Sequence, residues 1–183
     1  MKKIFLVLVL CFFVKGAFAQ ENGFSIGLNL GKNKNDEFVG LNLTSPYLAE
    51  FCAVRLSFNE HVFDYVPFGE EKIKQADYWS FSYGITVRTP EIADVLFPYL
   101  DIGGIGMKPH ENFSDKNFQG GLYMNFGLEL IQTIGISQGI GYFAEAGFIV
   151  LINDPRGRRG RTTLGNEYDY LQFALGLRLY FGK

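Results

Sequence analysis

Charge is scarce in this chain. Asp, Glu, Lys and Arg make up only 20% of its 183 residues, against about 25% in an ordinary soluble domain. Neither sign dominates: 17 Lys+Arg stand against 19 Asp+Glu, so the basic excess of a nucleic-acid binder is missing. Two cysteines, Cys11 and Cys52, are too few for a disulfide scaffold. The two histidines, His61 and His110, leave no His/Cys cluster with zinc spacing, so neither a metal nor another cofactor is expected. Beyond position 20 no stretch approaches the ~18 consecutive apolar residues of a transmembrane helix. What the chain has in plenty is 19 Phe, 10 Tyr and 22 Gly, in a mix that is 48% hydrophobic. That is too apolar for a disordered chain, and the length suits one domain.

The N-terminus reads as a secretory signal. Met1-Lys2-Lys3 precedes an apolar run over 4–14, then Lys15-Gly16 and the cleavage pattern Ala17-Phe18-Ala19. The run falls short of the roughly 20 residues a spanning helix needs. Cys11 follows Leu10 inside it, the wrong setting for lipid acylation. The expected organisation is a signal peptide over 1–19 and a single domain over 20–183. Cleavage removes Lys2, Lys3 and Lys15 and no acid, taking the net charge from −2 to −5. Cys52 is then the one cysteine left, so no internal disulfide forms.

The rest of the chain alternates with a period of two, the signature of strands. In 170–181, Leu171, Phe173, Leu175, Leu177, Leu179 and Phe181 share one face, opposite Tyr170, Gln172, Ala174, Gly176, Arg178 and Tyr180. A helix would scatter those leucines around its circumference; a strand gathers them on one side. Six more segments repeat the pattern, at 24–30, 39–44, 54–59, 79–88, 122–130 and 144–150. An eighth, 96–108, changes parity: Leu100 and Ile102 oppose Asp101, but Ile105 and Met107 have the parity of Asp101. A bulge at Gly103-Gly104 is expected to return both to the apolar face. After a short polar connection at 32–36, shorter turns (45–47, 89–94, 135–139) alternate with long polar loops (67–77, 109–117, 153–166), as in an up-and-down barrel whose two ends face different compartments.

Alternation does not say which face points outward; charge does. A soluble barrel needs an outer face rich in Lys and Glu. Here Lys32, Lys34, Lys72, Lys74, Lys108, Lys116 and Lys183 all fall in loops or at strand ends. The polar strand face is mostly Ser, Gly, Asn, Thr, Gln and Tyr, with Arg55, Arg88, Asp101, Glu129, Glu145 and Arg178 as its mid-strand charges. Small residues and three acids against three arginines suit a crowded interior. The apolar face then meets lipid, and closure follows because an open edge would strand backbone groups in hydrocarbon. Tyr47, Trp79, Tyr99, Tyr142, Tyr168, Tyr170 and Phe181, near strand ends, are expected to form aromatic girdles. The fold class expected is an all-β, eight-stranded antiparallel up-and-down transmembrane barrel behind a cleavable signal peptide.

The cleavage site Ala17-Phe18-Ala19, the eight alternating segments and the final strand 170–181 resemble the small eight-stranded outer-membrane β-barrels of the OmpX and OmpA-transmembrane-domain type, over essentially all of 20–183. The resemblance implies residence in the outer membrane of a Gram-negative bacterium, contact with outer-membrane lipid and lipopolysaccharide, and a monomer. In that superfamily a terminal aromatic of the last strand is read by the barrel-assembly machinery. Phe181 takes that position, followed here by Gly182 and Lys183.

The expected function is an integral outer-membrane protein with a structural or surface-interaction role in its outer loops. An eight-stranded bore is just wide enough for side chains to fill, so the six interior charges are expected to form a salt-bridge and hydrogen-bond network that plugs it. The alternative is a narrow pore for small solutes. Arg156, Arg158, Arg159 and Arg161 offer guanidinium forks for lipopolysaccharide phosphates, or form a solvated loop. The run 157–163 hints at a P-loop but has Pro155 where the spacing requires Gly. Catalysis, as in a lipid-modifying enzyme, needs a nucleophile and base set. His61, with the parity of Arg55, and His110, beside Glu111, supply no recognisable one, so no enzyme is expected. Cys52 has the parity of Val54 and Leu56 and reads as a small lipid-facing residue. A soluble secreted barrel with reversed faces is the remaining alternative, because parity is symmetric.

Overall fold

An unpaired strand edge leaves a row of backbone N–H and C=O groups without partners, and here every strand has two partners. A computed structural model describes residues 23–33, 36–49, 51–65, 74–92, 95–108, 118–134, 138–151 and 170–181. Its elements are β1 (Phe24–Lys32), β2 (Asp36–Thr44), β3 (Cys52–Tyr65), β4 (Lys74–Arg88), β5 (Leu96–Lys108), β6 (Gln119–Ile134), β7 (Gln138–Leu151) and β8 (Tyr170–Phe181). Each pairs antiparallel with its neighbour in sequence, and β1 pairs with β8 to close the barrel. The architecture is the expected all-β, eight-stranded up-and-down ring. The signal segment 1–19 lies outside the described residues.

The two faces separate cleanly. Leu30 and Leu175 are 65% and 66% exposed on the outside, whereas Arg178 and Glu129 on the inside are fully buried. This is the inverse of a soluble barrel, whose apolar face would fill the interior. The strands also run further than the apolar alternation. β2 begins at Asp36, β3 continues to Tyr65 and β4 starts at Lys74, with Glu37, Glu60, Asp64, Gln75 and Asp77 exposed along these extensions. Backbone pairing continues past the apolar band because ladder hydrogen bonds do not require apolar side chains.

The expected bulge at Gly103-Gly104 does not occur. Register across β4 and β5 is unbroken, with Gly84 opposite Gly103 and Tyr83 opposite Gly104, and β5 to β6 is equally regular. Ile105 and Met107 therefore keep the parity of Asp101 and point inward. There they pack with Tyr78, Tyr123 and Ile149 in a buried apolar cluster, with Phe63 against it. The outward positions on that stretch are Gly104 and Gly106. A side chain at Gly104 would meet the Tyr83 ring, and one at Gly106 the Phe118 ring. Both rings lie across the glycines on the outer face, an aromatic cover for bare backbone. Glycine, not an extra residue, reconciles the pattern.

Gly84 and Gly103 face each other across β4 and β5 on the inner wall, and the Tyr123 phenol lies against Gly84. Gly84→Val should displace Tyr123 and lower stability by roughly 1–3 kcal/mol, the usual cost of overpacking. Gly120→Ala, where an added Cβ meets nothing within 4 Å, should be nearly neutral. Urea unfolding in detergent micelles measures both; equal midpoints for the two variants would contradict the packing described.

Candidate functional site: a charged lumen between aromatic ends

The inner faces of β3, β5, β6, β7 and β8 converge at the waist of the barrel. Arg55 Nη1 lies 3.2 Å from Asp101 Oδ2 and also pairs with Glu145 Oε1. Arg178 Nη1 is 3.0 Å from Glu129 Oε2, and its Nη2 is 3.2 Å from Glu145 Oε1. Tyr99 donates its phenol to Glu145 Oε1 at 2.5 Å. Asp101 Oδ1 accepts from Thr86 Oγ1 at 3.2 Å and from Tyr123 at 3.3 Å. Glu145 is thus the hub, joining Arg55 to Arg178. All five charged residues are buried, so each ion has given up water and depends on its partners. Inward glycines make room: a side chain at Gly27 would strike Asn42 and Arg178, and one at Gly141 would strike Glu129.

Arg88, the sixth interior charge read from the sequence, sits apart. Its guanidinium carbon lies 4.2 Å from the Tyr47 ring centroid and 4.3 Å from that of Phe97, toward the end carrying the 45–51 and 89–95 turns. Arg178 likewise stands over Phe143 at 4.3 Å and Tyr99 at 5.2 Å. Tyr47 and Tyr99, expected in the outer girdles, are therefore lumen residues, each 3% exposed. Their rings cover guanidinium faces that a carboxylate contacts only at the edge. Tyr78, Tyr123 and Tyr180 are also buried. Trp79 and Tyr142 do face outward. Phe181 is half-buried against Phe24, ring centroids 5.2 Å apart. Tyr168 and the side chain of Tyr170 lie outside the described residues.

A second polar group lies toward the end carrying the long connections. His61 Nε2 is 2.8 Å from Ser80 Oγ, and Nδ1 is 3.3 Å from Asp36 Oδ2. Tyr78 donates to the same Asp36 oxygen and stacks on the imidazole at 4.3 Å. The order acid, imidazole, hydroxyl is that of a hydrolytic triad. Ser80, however, is fully buried, and its backbone sits within the β3–β4–β5 ladder. A working triad needs free amides aimed at a developing oxyanion. What this geometry does is hold the imidazole in one orientation.

Cys52, at the start of β3, is half-buried with a free thiol. Among the described residues no three His, Cys, Asp or Glu side chains are grouped to hold a metal ion. Beside the short β1–β2 connection, the strand residues Lys32 and Glu37 pair at 3.2 Å, well exposed. His110 and Arg156, Arg158, Arg159 and Arg161 lie outside the described residues, as do 109–117, 153–166 and most of 67–77. Sequence reading missed Tyr99, Thr86 and Tyr123 as partners of the charges, and Asp36 and Ser80 as partners of His61. Tyr99, Thr86 and Tyr123 share inward parity with Asp101, Arg88 and Glu129 on their respective strands, which is a usable signal. Asp36 was assigned to a connection and carried none.

No family model matches the sequence, and no curated protein matches it. Among solved structures, the chain is similar to the N-terminal β-barrel domain of Pseudomonas aeruginosa OprF, at 14% identity, covering 88% of this chain and 98% of that one, with a TM-score of 0.52. A second similarity is to the Yersinia pestis outer membrane protein Ail in a phospholipid bilayer nanodisc, at 14% identity, covering 88% of this chain and all of that one, with a TM-score of 0.48. The chain has the fold of the small eight-stranded barrels.

Removing one side of a buried ion pair costs roughly 3–5 kcal/mol because it leaves the other charge uncompensated. Glu145→Ala takes one carboxylate from each guanidinium, leaving Arg55 with Asp101 and Arg178 with Glu129, and removes the acceptor of the Tyr99 phenol; it should cost more than Glu129→Ala, which breaks one contact of Arg178 alone. Arg88→Leu, which loses ring contacts, should cost about 1–2 kcal/mol. Unfolding midpoints in detergent rank the three; Glu145→Ala at or above the parental midpoint would refute the hub.

Proposed function

We propose that the chain is a non-enzymatic, integral outer-membrane protein of a Gram-negative bacterium, a monomeric barrel with a plugged lumen whose structural or surface-interaction role lies in its outward connections. One observation carries this reading: among the described residues a continuous outer band is apolar while the mid-strand charges face inward, and the outward charges lie only on the strand extensions beyond that band. Water would reject that outer surface, and hydrocarbon solvates it. The strands are 9 to 16 residues long, and crossing a bilayer at a tilt takes ~9–11. Strand β8 ends at Phe181, an aromatic suited to recognition by the barrel-assembly machinery. The arginines at 156, 158, 159 and 161 are assigned the phosphates of lipopolysaccharide, for which guanidinium forks are well matched.

The plug reading draws support from three obstructions stacked along the bore. They are the Tyr78–Ile105–Met107–Tyr123–Ile149 cluster, the ion pairs at the waist, and Arg88 between Tyr47 and Phe97. An eight-stranded ring offers no wider path around them. The buried state of Ser80 and His61 supports the non-enzymatic reading.

Membrane fractionation should recover the protein with the outer membrane, and unboiled samples should migrate differently from boiled ones on a denaturing gel. Recovery in the aqueous supernatant would overturn the membrane assignment. In planar bilayers the purified barrel should give no resolvable channels; steady unitary currents would favour the narrow pore instead. Replacing Arg156, Arg158, Arg159 and Arg161 together by Ala should weaken binding to immobilised lipopolysaccharide without changing the unfolding midpoint. Unchanged binding would return those residues to the role of a solvated loop.

A further inference from the structure

The ion pairs at the waist do not balance. Asp101, Glu129 and Glu145 face Arg55 and Arg178, and the third guanidinium, Arg88, is drawn off to the Tyr47 and Phe97 rings. Three carboxylates thus meet two cations in a setting from which water is largely excluded, where an uncompensated charge is strongly unfavourable. Around Asp101 and Glu145 the donors are those of ionised acids, whereas Glu129 accepts from Arg178 on Oε2 and has no partner on Oε1. Asp101 accepts from Thr86, Tyr123 and Arg55 on its two oxygens. Glu145 accepts from Arg55, Arg178 and Tyr99. Neither is shown donating a proton to an acceptor, as a neutral carboxyl would.

Directly beside two of these acids is a cavity of about 30 Å³. Asn29, Ser57, Ser82, Asp101, Asn125 and Glu145 contribute to its wall. Asn29 is 5% exposed; its Nδ2 donates to Asn59 Oδ1 at 2.9 Å, and its Oδ1 has no partner. Arg55 also reaches the wall; its Nη1 is committed to Asp101 and Glu145, while its Nε has no partner. The volume exceeds the ~10–15 Å³ one water needs and is far below that of an organic solute. The wall combines carboxylate, amide and hydroxyl oxygens, the groups that replace the hydration shell of an alkali cation.

We propose that this cavity binds one small monovalent cation of the sodium or potassium class, held by the carboxylates of Asp101 and Glu145 with Asn29 Oδ1 and the Ser57 and Ser82 hydroxyls. The ion completes the charge of the lumen and ties β1 to β5 and β7 across the bore. The site does not depend on which membrane the barrel occupies or on whether its outer loops bind anything.

The test is thermal unfolding of the full refolded barrel in a zwitterionic detergent at fixed pH. NaCl or KCl is titrated against N-methyl-D-glucamine chloride at matched ionic strength. The unfolding midpoint should rise and saturate with at least one alkali salt and stay flat with the bulky organic cation. In Asn29→Ala the half-saturating concentration should shift upward at least tenfold. Asp101→Asn, which removes the surplus negative charge, should abolish the response; if that variant does not fold, the parental and Asn29→Ala titrations decide. Superimposable curves in all three salts overturn the proposal. So does a midpoint that follows pH but is indifferent to the cation, which would put a proton on one of the carboxyls in place of the ion.

Discussion

An eight-stranded ring encloses a bore about as wide as the side chains it carries, and most of what is distinctive here follows from that width. Inward residues meet partners from strands that are not their neighbours, so size and charge must be matched across strands distant in sequence. Arg55 on β3 reaches Glu145 on β7, and Arg178 on β8 reaches Glu129 on β6. Long side chains are accommodated by emptying positions beside them. Gly27 and Gly141 give up volume to Arg178 and Glu129, and Gly84 to Tyr123. Much of the glycine in the composition is therefore the complement of the large inward side chains.

The same width explains how the interior tolerates so much charge. A carboxylate buried alone would be prohibitive, yet Glu145 gathers two guanidiniums and a phenol. The flat faces of Arg88 and Arg178, which carboxylates cannot cover, are covered by rings. Tyrosine serves both needs, because its ring packs on a guanidinium and its hydroxyl donates to an acid. Tyr99 does both at once, standing over Arg178 and donating to Glu145.

The strands were legible because a lipid-type face and a lumen face impose opposite chemistry on alternate residues, as 170–181 illustrates. Their ends were not. Asp36 and Lys74 lie in strands although they read as loop residues, since the ladder needs only backbone. Apolar character also misled where parity alone was right and an apolar residue belongs inside. Ile105 and Met107 were expected to turn outward through a bulge, but the mouth of the lumen has an apolar cluster that takes them. Tyr47 and Tyr99 were expected outside because tyrosines near strand ends usually mark an interface; the ring-on-guanidinium contacts draw them in. The His61–Ser80–Asp36 grouping was invisible because it joins three strands, and only register brings residues 19 and 25 positions from His61 beside it.

The charged waist also bears on why this barrel adopts one register. Side chains alternate strictly, so a slip of one residue in any strand would exchange its two faces. For β8 that exchange would put Arg178 among the outer leucines and Leu177 and Leu179 against Glu129. Were the outer face in a bilayer, an arginine there would cost roughly 2–4 kcal/mol at the midplane and less toward the interfaces, and in any setting the abandoned carboxylate would add its own unpaired burial. An interior lined with alanine and leucine would carry no such penalty, since inner and outer faces would be interchangeable. Buried charge is a poor source of net stability, but here it makes the two faces of each strand chemically unequal, and that inequality discriminates the closed, correctly paired ring from its slipped alternatives.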